Sequence, residues 1–276
     1  MSPPSTVTAV RVVETDAHEG PVYVGGEDAL YFTTVRRDRV QIKRLQLDSR
    51  RVTLVRADAN MANGMTLDGE GRLVICEQGT HEQPAAITRM DLASGRVETV
   101  VDAYQGLPLN SPNDVVVGRD GSIWFTDPSY GHLQGFRPEP RLPDQVYRHD
   151  PSSGRTEVVA SGFDKPNGIA LSPDERVLYV TDSGSPHHVM AYDLADGTAS
   201  VLAVIPGEPD GLKVDGEGRV YVSAASGVQV LSPAGDLVDE IHLPGAVNFC
   251  FGGPGRDVLF ITTDDAVWAA SPPKGA

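Results

Sequence analysis

Leu109-Asn110-Ser111-Pro112-Asn113-Asp114-Val115-Val116-Val117 leads through a Gly/Asp turn to Trp124-Phe125-Thr126-Asp127-Pro128-Ser129-Tyr130-Gly131. The passage joins a rigid proline turn, an amide, an apolar strand, a tight reversal and a second strand ending in a carboxylate. The same plan occurs six times, each with an oxygen-bearing side chain where Asn113 stands. The first unit is Glu19-Gly20-Pro21-Val22-Tyr23-Val24 with Leu30-Tyr31-Phe32-Thr33, and the second Asn63-Gly64-Met65-Thr66-Leu67 with Leu73-Val74-Ile75-Cys76-Glu77. After the third, quoted above, come Asn167-Gly168-Ile169-Ala170-Leu171 with Val177-Leu178-Tyr179-Val180-Thr181-Asp182 and Asp210-Gly211-Leu212-Lys213-Val214 with Val220-Tyr221-Val222-Ser223. The sixth is Asn248-Phe249-Cys250-Phe251 with Val258-Leu259-Phe260-Ile261-Thr262.

The leading residues are spaced by 44, 50, 54, 43 and 38 positions. Four short strands and their turns fill about 40–50 residues, the length of a propeller blade. The sixth unit runs out after Ala266-Val267-Trp268-Ala269-Ala270, one strand short, while the N-terminal run Val7-Thr8-Ala9-Val10-Arg11-Val12-Val13 has no other partner. Pairing the two closes the ring and removes two exposed sheet edges. The expectation is an all-β protein, a six-bladed β-propeller formed as a single domain by residues 1–276.

Composition narrows the partners. A formal net charge of −15 repels phosphate, which excludes nucleic acid as the expected ligand. Met1-Ser2-Pro3-Pro4-Ser5 offers neither a basic nor an apolar leader, and no apolar run reaches membrane-spanning length. A soluble, cytoplasmic protein acting on a small molecule is expected, with no membrane partner and an oligomeric state that the sequence does not address. Cys76 and Cys250 sit in apolar runs without metal-type spacing and read as buried free thiols.

The first strand of each propeller blade lines the central channel, so the six leading residues ring one mouth. They are Glu19, Asn63, Asn113, Asn167, Asp210 and Asn248. Singly, Asn-Gly and Asp-Gly are ordinary turn dipeptides. As a set, hard oxygen donors with two carboxylates suit one divalent cation, Ca²⁺ first, with Mg²⁺, Mn²⁺ or Zn²⁺ as alternatives. Three or four ligands with waters suffice, and Asn63 and Asn248 are the expected bystanders.

The loops after the second strands open on the same face. The longest runs from Pro128 to Asp144 with four prolines, at 128, 138, 140 and 143, and reads as an ordered cover for a site. Asp127, just before it, either works beside a substrate or caps the strand end by accepting loop amides. His81, Tyr130, His132 and Arg137 lie in these loops and are substrate contacts or plain exposed residues. No Gly-x-Ser-x-Gly elbow, phosphate-cradling loop or His-Glu-x-x-His motif is present.

Glu19-Gly20-Pro21, Ser111-Pro112-Asn113-Asp114, Phe125-Thr126-Asp127-Pro128-Ser129-Tyr130-Gly131, Pro166-Asn167-Gly168 and Pro209-Asp210-Gly211 follow one another in this order. Together they resemble the gluconolactonase branch of the SMP-30/gluconolactonase/LRE family, from about Glu19 to Thr262. The resemblance implies a six-bladed propeller with one divalent cation, commonly Ca²⁺, in the channel mouth. It implies Glu19, Asn167 and Asp210 as metal ligands, and Asn113 as a fourth ligand or a substrate contact. Asp210 also falls at the position usually proposed as general base. Two departures bear on specificity. Leu107-Pro108-Leu109 stands where many relatives carry a basic residue, and the loop from Gln78 to Ala86 lacks the arginines often found there.

The implied reaction opens a sugar-lactone-like ring to the hydroxy acid, with Asp210, or Asp127 through a water, taking the proton. Similar folds act on organophosphates or biosynthetic intermediates, and NHL-type propellers bind without catalysis; these are the alternatives.

Overall fold

Each sequence repeat folds as one radial sheet, because short Val-, Leu- and aromatic-rich runs are separated by Gly and Asp turns that reverse the chain. The computed structural model describes residues 6–35 and 39–272; the reading of residues 1–5 lies outside them. Blade one comprises Val22–Val24, Ala29–Thr33, Ile42–Gln46 and Arg51–Arg56. Blade two comprises Ala62–Leu67, Leu73–Glu77, Ala86–Met90 and Val97–Val101, and blade three Val115–Val117, Ile123–Asp127, Gln145–Asp150 and Arg155–Ser161. Blade four is Pro166–Leu171, Val177–Asp182, His188–Asp193 and Ala199–Val204; blade five is Leu212–Val214, Val220–Ala224, Gly227–Leu231 and Leu237–His242. Asn248–Gly252, Val258–Thr263 and Ala266–Ala270 begin blade six.

The N-terminal run divides between two blades, instead of joining the last one whole. Val10–Glu14 pairs antiparallel with Ala266–Ala270 and completes blade six. Thr6–Thr8 crosses to the outer edge of blade five and pairs in parallel with Leu237–His242. That edge offers backbone groups that a fifth strand satisfies, so one short segment stitches the ring at its closure.

The core is distributed between blades. Ala29, Tyr31 and Ile42 of blade one pack on Ala62, Met65 and Ile75 of blade two. Leu30 and Phe32 on the other face of blade one meet Cys250, Phe260 and Val267 of blade six. Burying one such side chain stabilises the fold by about 1.5–3 kcal/mol, so each blade depends on its neighbours for most of its stability. Cys76 and Cys250 are buried and free. Among the described residues no helix is long and apolar enough to cross a membrane.

A polar ladder fixes the start of the inner strands. Thr33 Oγ1 donates to the carbonyl of Asn63 (3.3 Å), Thr126 to Asn167 (2.7 Å) and Thr181 to Asp210 (2.8 Å). Each hydroxyl thus holds the leading residue of an adjoining blade. The glycines after these residues have a steric cause. A Cβ on Gly64 would lie 2.6 Å from the Asn113 carbonyl, and one on Gly168 would lie 2.4 Å from that of Asp210. Inner strands approach too closely there for any side chain, which settles the Asn-Gly dipeptides as close-packing features.

Candidate active site at the channel mouth

The inner strands converge on an open cavity of about 850 Å³. Glu19, Asn63, Asn113, Asn167 and Asp210 all line it. Glu19 Oε2 accepts the Gly20 amide at 3.0 Å and Asn248 Nδ2 at 2.7 Å. Burial pushes the Glu19 carboxyl above the usual range; His18 opposes the rise and the charge of Asp114 adds to it. Burial, reinforced by the charge of Glu19, also pushes Asp210 well up. Two carboxylates in this setting favour a shared cation over mutual repulsion.

The amides divide into two kinds. Asn63 Nδ2 donates to the Asn113 carbonyl (3.2 Å), and Asn248 is committed to Glu19, so both act as buttresses. Asn113 is only 6% exposed, and its Oδ1 has no hydrogen-bond partner. Asn167 directs Nδ2 to Ser183 Oγ at 3.0 Å and to the Tyr130 hydroxyl at 3.5 Å, bonds in which its oxygen takes no part, and it also hydrogen-bonds Asp210. Among the described residues no three His, Cys, Asp or Glu side chains form a metal cluster. The donor set is two carboxylates and two amide oxygens, which fits a hard ion such as Ca²⁺ and offers no thiolate or imidazole cage of the zinc type. The orphaned oxygen of Asn113, on the cavity wall, supports the fit, because a buried acceptor without a partner costs about 1–3 kcal/mol.

His18 and Asp264 form a pair that the sequence did not disclose. Both line the cavity, and His18 Nδ1 lies 2.8 Å from Asp264 Oδ1. Burial works against the imidazolium, but the hydrogen bond to Asp264 and the charge of Glu19 outweigh it and raise the His18 pKa. The partners are 246 positions apart, brought together by ring closure. Only the adjacency of His18 to Glu19 hinted at its place.

The loop from Pro128 to Asp144 does cover one side. Its short helix Tyr130–Leu133 and the following turn bring Tyr130, Gln134 and Phe136 to the cavity. Three other sequence candidates are placed elsewhere. Asp127 is 0% exposed and does not face the cavity; its oxygens accept the amides of Asn110 (2.9 Å) and Ser111 (2.8 Å). Burial, against those two amides, pushes its pKa up to about 7. It is the strand cap, the other of the two readings above. Arg137 is buried, with its guanidinium donating to the carbonyls of Asn110, Leu109, Thr80 and Gln83. Five fixed donors match that cage of carbonyls, so Arg137 staples three loop segments and does not reach the cavity. His81 is exposed and lies outside the cavity wall.

A six-bladed ring with an oxygen-lined, carboxylate-bearing mouth defines the class of protein. The chain belongs to the SMP-30/gluconolactonase/LRE-like family, whose model matches residues 17–265. A gluconolactonase of Zymomonas mobilis is 33% identical over 226 residues, covering 75% of this chain and 62% of that protein. A lactonohydrolase of Aspergillus oryzae is 27% identical over 288 residues, covering 90% and 66%. The chain thus spans less than two thirds of the length of the curated relatives named here. Among solved structures, a gluconolactonase of Xanthomonas campestris matches with a TM-score of 0.85 at 32% identity, covering 99% of both chains. The calcium-binding protein regucalcin of Agrobacterium tumefaciens shares the fold, with a TM-score of 0.76 at 17% identity, covering 98% of this chain and 97% of that one.

Proposed function

We propose that this protein hydrolyses a neutral, sugar-lactone-like ring ester to the hydroxy acid, with one divalent cation, calcium first, at the channel mouth. The observation that carries this reading is the pair of buried carboxylates, Glu19 and Asp210, sharing a cavity with the unpartnered Oδ1 of Asn113. Similarity to gluconolactonases of Zymomonas mobilis and Xanthomonas campestris supports the reaction class. Glu19, Asn167 and Asp210 would hold the cation, and Asn113 would serve as fourth ligand or as the contact to the substrate. When bound, the ion supplies Lewis-acid polarisation of the ester carbonyl and steadies the charge growing on its oxygen.

The chain's own groups do the rest. Asp210 orients the attacking water, since direct ligation lowers a carboxylate's basicity. His18, its Nδ1 held by Asp264, presents Nε2 as the proton acceptor. Tyr130, tied to Asn167, closes one side of the cavity and keeps the ring ester against the floor. Among the described residues no lysine or arginine lines the cavity, whereas Glu208, Asp264 and Asp265 do. An acidic wall disfavours anionic substrates and repels the hydroxy-acid product as it forms.

The test is a pH-stat panel of neutral aldonolactones, aryl esters and phosphotriesters, run with calcium present. Preferential lactone turnover is expected. Preference for the phosphotriester, with lactones inert, would overturn the reading.

A further inference from the structure

Below the mouth, blade three breaks the pattern of its neighbours. Where blades two, four and five have a glycine after the leading residue, it has Asp114. This carboxylate is 2% exposed and reaches the inner strands of three other blades. Oδ1 accepts the Val115 amide at 2.9 Å and fills the space beside Gly64, whose Cβ position lies 2.5 Å away. Oδ2 accepts the Ile169 amide at 3.5 Å and Lys213 Nζ at 3.4 Å. Lys213 Nζ also donates to the Leu212 carbonyl at 2.9 Å, which fixes the ammonium on the channel side of blade five.

These contacts fall beside the mouth residues. Asp114 follows Asn113, Gly64 follows Asn63, Ile169 is two positions after Asn167, and Lys213 three after Asp210. Asp114 also acts electrostatically on both Glu19 and Asp210. Asp114 is paired with Lys213 and His18 with Asp264, which leaves the two carboxylates of Glu19 and Asp210 to match a single divalent ion.

We propose that Lys213 is the resident cation of the channel: paired with Asp114, it sets the charge that the mouth presents and so selects a divalent over a trivalent ion. Lys213 and Asp114 are positioning residues here, coupling the inner strands that carry Asn113, Asn167 and Asp210. The inference rests on the cation reading of the mouth.

The experiment titrates the full-length, chelator-treated protein with calcium chloride and with terbium chloride by calorimetry, near pH 7. Wild type is expected to bind one Ca²⁺. Lys213→Met leaves one more uncompensated negative charge and is expected to raise the affinity for Tb³⁺ relative to Ca²⁺ at least tenfold. Lys213→Gln, with a polar tip, is the second variant and should shift in the same direction, whereas Lys213→Arg keeps the wild-type ratio. An unchanged ratio in both neutral variants, with wild type still binding Ca²⁺, overturns the inference alone. Wild type binding neither ion overturns the cation reading and the inference with it.

Discussion

Replacing Asp127 by asparagine separates a structural carboxylate from a catalytic one. The substitution keeps the shape of the side chain but turns one acceptor into a donor facing a backbone N–H. In the native protein both oxygens accept amides, from Asn110 at 2.9 Å and Ser111 at 2.8 Å, with no solvent to replace them. At pH 8, where the carboxylate is ionised, a hydrogen bond to a charged acceptor contributes about 1.5–3 kcal/mol, and an orphaned buried donor costs about 1–3 kcal/mol. Removing a buried charge offsets most of this, so the net loss is about 1 kcal/mol. For a domain of roughly this size that is on the order of 2–4 °C in Tm. Thermal unfolding followed by circular dichroism reads the shift directly. Because Asp127 holds the turn that presents Asn113, KM should rise while kcat stays within about tenfold of wild type. A proton acceptor would behave differently, losing about 10²–10⁴ in kcat. Such a loss with Tm unchanged would refute the reasoning and return Asp127 to the chemistry.

Four further outcomes are expected. Arg137→Lys leaves several of four carbonyls without donors, so the urea midpoint should fall by the equivalent of about 2 kcal/mol while KM moves little. Met61 has φ +59° but packs on the core between blades one and two, so Met61→Gly should lower stability by about 1 kcal/mol in equilibrium unfolding, lost apolar contact and chain entropy exceeding the relief of strain. Gly168→Ala places a Cβ 2.4 Å from the Asp210 carbonyl; calorimetry should show weakened cation binding, and unfolding a loss of about 1–3 kcal/mol. Asp127 has its pKa raised from 3.8 to about 7, so the folded protein holds an extra proton between those values. Its contribution is complete below the unfolded value and is lost as pH rises through about 7; wild-type urea midpoints should fall across that window more than those of Asp127→Asn.

The repeat made the ring legible, because spacing and alternation are local signals that fix blade number without any side-chain contact. It also put Asn113, Asn167, Glu19 and Asp210 on one mouth, since inner strands start on a common face. The fates of Asp127 and Arg137 were not legible. Both are polar residues beside a long loop, and only the fold shows that backbone amides and carbonyls consume their hydrogen-bonding groups. The His18–Asp264 and Asp114–Lys213 pairs were hidden for another reason: their partners come from different blades, and which side chains meet between blades has no signature in sequence spacing. The split of the N-terminal run was equally non-local, set by the open edge of blade five.

The measurement that tests the account most directly is lactone turnover by one preparation before chelation, after exhaustive removal of divalent ions, and after calcium is restored. Glu19→Gln and Asp210→Asn are carried alongside. Activity should vanish on chelation, return with calcium in wild type, and fail to return in either variant. Turnover that survives complete removal of divalent ions would contradict it.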